Sequence, residues 1–85
     1  MSKLHRNSIL MLADYLSGSA IKDLKEMYMI SSQRVSKVLK DVAIYLLPEV
    51  ERIKYLCNKE IKEEYSEALL TKIKELWAEN EKHKQ

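Results

Sequence analysis

The chain is poor in the residues that break or staple a fold. Among 85 residues there is one glycine, one proline, one cysteine and no phenylalanine. So few turn formers exclude an architecture of many short strands, which needs a tight turn every eight to twelve residues or so. A single thiol, Cys57, closes no internal disulfide. With His5 and His83 as the only histidines, no cluster has metal-ligand spacing, and neither a metal nor another cofactor is expected. Long apolar runs are missing too. The opening "MSKLHRNSILMLADYL" has a basic start, but its apolar stretch is short and interrupted by Asp14. Neither a signal peptide nor a membrane span is supported, and a soluble, cytoplasmic protein is expected.

What is present favours helix. Hydrophobic residues make up 46% and charged residues 33%, a balance that fits one compact domain. A chain this short buries only about 60 to 65% of its unfolded surface. Leu, Lys, Glu, Ile and Met favour an all-α fold. The net charge of +2 is too mild to name a partner, so the placement of charge decides. Residues 1–47 carry seven Lys/Arg against four Asp/Glu, and residues 48–85 carry eight against nine.

Ile9, Leu12, Ala13 and Leu16 recur at helical spacing and predict a helix over about 8–17, with Gly18 where a C-terminus wants one. Ser19 offers an N-cap for a two-turn helix marked by Ile21, Leu24 and Tyr28. Ser31 or Ser32 can cap the next helix, 32–47, whose inner stripe is Val35, Val38, Leu39, Val42 and Leu46. Its other side carries Gln33, Arg34, Ser36, Lys37 and Lys40, and the cationic face stops at Asp41. From "VAIYLLP" the helix is apolar nearly all round, so protein must cover Ile44 and Leu47. Pro48 marks a boundary. The remaining 38 residues read as helix, and as one rod would span about 57 Å. That length requires either a break, for which "LCNKE" with Asn58 is the best place, or a projecting arm. Its apolar positions include Val50, Ile53, Cys57, Ile61, Tyr65, Leu69, Ile73, Leu76 and Trp77. Heptad scoring finds two good repeats only, which excludes a long coiled coil. The tail "AENEKHKQ" lacks apolar anchors and is expected to fray. Met27, Tyr28 and Met29 read as core or rim packing, and Cys57 as a small buried hydrophobe.

Two short helices, a tight turn, and a second helix with one face packed and the other cationic form the arrangement that places a helix in the DNA major groove. The run "LSGSAIKDLKEMYMISSQRVSKVL" resembles the helix-turn-helix DNA-binding superfamily. It is most similar to the C-terminal units of response regulators and sigma factors and to small bacterial or phage regulators. Ile21, Leu24, Tyr28, Ile30, Ser31, Val35 and Val38 carry the resemblance. Lys25 stands where the family usually has Ala, and Met29 where it usually has Gly in the turn. If that turn needs φ > 0, Met29 is strained.

The resemblance implies a three-helix unit over 1–47 and a C-terminal packing or dimerisation segment over 48–85. It places Ser32, Gln33, Arg34, Ser36 and Lys37 at base edges, with Lys40 further along, and Lys22 and Lys25 at phosphates. Lys3 and Arg6 could form a basic arm. Double-stranded DNA bound by a homodimer follows, with Ile61, Tyr65, Leu69, Ile73, Leu76 and Trp77 as the dimer or partner interface. The alternatives are an adaptor or inhibitor docking on a host protein through that stripe, and a DNA-packaging or recombination accessory subunit. The C-terminal carboxylates alternate with lysines as an ion-paired surface. No phosphate loop, zinc signature or nucleophile elbow occurs, so an enzyme is not expected.

Overall fold

The computed structural model describes residues 6–83, with side chains described as far as Glu79. The fold is all-α. Helix α1 (Arg6–Leu16) begins two residues earlier than its periodicity predicts and stops one earlier. Its end is a Schellman closure: Gly18 N–H donates to the Tyr15 carbonyl at 3.2 Å and Ser19 N–H to the Asp14 carbonyl at 3.0 Å. Gly18 sits at φ 122°, where only glycine is at ease. Ser19 does not cap the next helix. That position belongs to Ala20, which makes no side-chain bond, while the Ser19 backbone N–H takes part in closing α1.

Helix α2 (Ile21–Tyr28) ends by a related device without glycine. Met29 N–H donates to the Lys25 carbonyl, and Ile30 N–H reaches the same oxygen at 3.2 Å. Met29 adopts φ 57°, ψ 46°, a left-handed conformation costing a non-glycine residue about 1–2 kcal/mol. Met29, Ile30 and Ser31 are the whole connection to α3 (Ser32–Leu46). Ser31 caps it, its Oγ accepting from Arg34 N–H at 3.1 Å.

Helix α3 is the hub and packs on every other element. Val35, Leu39, Val42, Ala43 and Leu46 are buried and Val38 is half-buried. Leu47 is buried and Ile44 half-buried as their position requires, but Tyr45 between them remains 54% exposed.

Beyond Pro48 the helical run takes the first of the two courses its length allows and is divided. A 3-10 turn, η1 (Glu51–Tyr55), precedes a break at Leu56 and Cys57. Helix α4 (Asn58–His83) follows, 26 residues long. The break falls in "LCNKE". Helix α4 extends to His83, well into the segment expected to fray. At 1.5 Å per residue it is about 39 Å long, comparable with the 37 Å long axis of the molecule. Glu60 reaches back to accept from Cys57 N–H at 3.1 Å, one half of a capping box. That bond holds the Glu60 carboxyl below its ordinary range. Cys57 is exposed, not buried as its place in the apolar series suggests, because the break takes it out of register with that series.

One core joins both halves of the chain. Leu12, Leu24, Val35, Leu39 and Val42 from the first half meet Ile53, Leu69 and Ile73 from the second, all almost wholly removed from water. Two contacts tie α1 to its neighbours. Tyr28 Oη donates to Asp14 Oδ2 at 3.2 Å, and Lys62 Nζ lies 4.9 Å from the centre of the Tyr15 ring. Burial first, and then Asp14, pushes the Tyr28 phenol up.

Candidate nucleic-acid interface

The site is the outer face of α3 and the turn that leads into it. Ser32, Gln33, Arg34 and Lys37 are exposed, and their backbone is held from behind by Val35 and Leu39. No acid stands in the first turn of α3, so the positive pole of the helix dipole and the Arg34 guanidinium lie at the same end. Lys22 and Lys25 are exposed on α2, alternating with the exposed acids Asp23 and Glu26.

The face is not uniformly cationic. Lys37 Nζ lies 3.2 Å from Asp41 Oδ2, both side chains well exposed. Ser36 and Lys40 are half-buried, so they flank the open face and do not lie on it. The returning chain approaches the same helix: η1 packs on α3, and Asn58 Nδ2 donates to the Ser36 carbonyl at 3.3 Å. In the sequence, Asn58 signals only a possible cap. Nothing local reveals its long-range partner.

Other expectations need correction. Met27 is 58% and Met29 89% exposed, so neither packs in the core. Met27 lies on the exposed side of α2, and Met29 in the left-handed turn that ends it. Arg6 is the first residue of α1 rather than part of an arm, while Lys3 and His5 lie outside the described residues, as does the His83 side chain.

The proposed partner stripe divides in two. Ile61, Leu69 and Ile73 are at most 2% exposed and belong to the molecule's own core, because α4 must supply the apolar cover that α1 and α3 need. Tyr65, Leu76 and Trp77 are half-buried and keep some surface for a partner. Leu76 also lines an open groove of about 370 Å³ with Tyr45, Pro48, Glu49 and Glu75. Among the described residues no group of acids, histidines and cysteine could hold a metal ion, and no helix is long and apolar enough to cross a membrane. The chain matches no protein-family model, no curated protein and no solved structure.

Proposed function

We propose that the protein binds duplex DNA as a small sequence-specific regulator, with α3 in the major groove and a second copy supplying the other half-site. One observation carries it: the three-residue turn Met29–Ser31 accepts a left-handed methionine and delivers a capped helix whose outer face is open. Gln33 suits adenine, and Arg34 or Lys37 suits guanine, by their donor and acceptor patterns. Lys22 and Lys25 suit phosphates, which position without specifying. The half-exposed Tyr65, Leu76 and Trp77 favour a protein contact on α4, and a homodimer with half-sites about 34 Å apart accommodates it.

The test is a selection against random duplex DNA, followed by affinity measurements across salt concentrations. Specific binding should weaken steeply with salt, and Arg34→Glu with Lys37→Glu should abolish it. Binding that is indifferent to salt, or unchanged in the double variant, contradicts the proposal.

A further inference from the structure

The chain does not leave α3 when the helix ends. It turns at Pro48 and packs back along the same helix as η1. By Asn58 it lies beside Ser36, having retraced about 15 Å of helix, ten residues at 1.5 Å each. Ile53 and Leu56, both buried, root this return. Its outer side carries Lys54, Tyr55 and Lys59, all exposed, with Tyr55 at 81%. A tyrosine this exposed contributes little to the core, and its hydroxyl faces water.

Charge follows the same path. Residues 34–59 hold six Lys/Arg against three Asp/Glu, and residues 60–79 reverse to three against six. The basic density of α3 therefore continues through the junction and ends where α4 proper begins. Arg52 is engaged by Glu64, whose charge is the main influence holding it protonated. Lys54 meets Glu51 at 3.2 Å, an exposed pair that opens in water at little cost.

We propose that the η1–α4 junction is a second DNA-contacting strip, in which Lys54, Tyr55 and Lys59 hold the phosphate backbone beside the groove that α3 enters. This rests on the reading of α3 as the recognition helix. Lysine ammonium groups and a tyrosine hydroxyl are ordinary phosphate ligands, and such contacts fix the register of a recognition helix without reading sequence. Lys40, half-buried on α3 beside its open face, joins the phosphate set and leaves base reading to Gln33, Arg34 and Lys37. The acidic α4 beyond Glu60 repels the polyanion and so orients it.

The experiment uses the full chain and a duplex recovered by selection. It compares wild type, Lys54→Gln/Tyr55→Phe/Lys59→Gln, and Arg34→Ala/Lys37→Ala, with circular dichroism to check folding. The junction variant removes two charges and one hydroxyl while keeping polar side chains and the ring. It should lose affinity on the order of tenfold, equally on selected and unrelated duplexes, with a salt slope shallower by about 2. The α3 variant should lose discrimination between them. A junction variant that binds like wild type while the α3 variant fails overturns the strip and leaves α3 standing. A loss confined to the selected sequence overturns the phosphate assignment. Wild type that binds no duplex removes the α3 reading, and the strip with it.

Discussion

The side-chain amide of Asn58 donates to the backbone carbonyl of Ser36 at 3.3 Å, joining the first turn of α4 to the second turn of α3. The bond fixes how far the returning chain advances along the basic helix. Asn58→Ala should cost about 1 kcal/mol, the usual net worth of such a bond, measured by urea unfolding. Faster amide exchange should appear in η1 before it appears in α3. Equal acceleration throughout would mean that the bond does not hold the junction locally.

Gly18 and Met29 occupy similar positions at the ends of successive helices, and both lie at positive φ. Gly18→Ala should destabilise by about 1–2 kcal/mol. A Cβ there meets nothing within 4 Å, so the whole cost is conformational. Met29→Gly should be neutral or stabilising by up to about 1 kcal/mol, since relief of backbone strain outweighs or balances the greater freedom of the unfolded chain. Thermal unfolding of the two variants gives the signs directly.

Ile73 and Trp77 lie one turn apart on α4, yet the first is fully buried and the second half-exposed. Ile73→Ala should cost about 2–5 kcal/mol whatever the protein concentration. Trp77→Ala should act mainly on self-association, read by sedimentation. An Ile73→Ala cost that varies with concentration would return that residue to an interface between copies.

Alkali should destabilise the fold through Tyr15 and Tyr28, whose phenols are pushed above the ordinary value of 10.0, in both cases first by burial. The unfolded chain releases these protons first. The stability they confer is therefore present below about pH 10 and is lost as pH rises through the higher folded-state values. Tyr28→Phe should make the alkaline limb of a stability–pH curve shallower without abolishing it, because Tyr15 remains. An unchanged limb would mean that the Tyr28 phenol titrates alike folded and unfolded.

Asp41 holds the ammonium of Lys37 across one helical turn. Asp41→Asn should change stability by less than about 1 kcal/mol, as for other exposed pairs. On the proposed DNA reading it should also tighten duplex binding and steepen the salt slope by up to about 1. Weaker binding would mean that Asp41 orients Lys37 rather than competing for it.

Local chemistry was legible in the sequence. The two-helix run, a serine cap at Ser31 or Ser32, the stop after Tyr28 and the boundary at Pro48 depend on neighbours within a turn or so, and the break in "LCNKE" followed from a rod too long for so small a domain. The exposure of Cys57 was not legible, because the apolar series spaced by four continues through the break and gives no sign of which of its members the break releases. Ile61, Leu69 and Ile73 were legible as apolar and helical. A stripe alone does not say whether it covers its own core or a partner. The bond from Asn58 to the Ser36 carbonyl depends on a return of the chain along α3, which periodicity does not record.

The helix proposed to enter the DNA groove is also the one on which every other element leans. It has little freedom to bend toward a ligand, so docking on that face is rigid-body docking with little reorganisation on binding. A ligand held there braces the entire molecule through mass action. Occupancy should slow amide exchange from Met11 to Ile73 together.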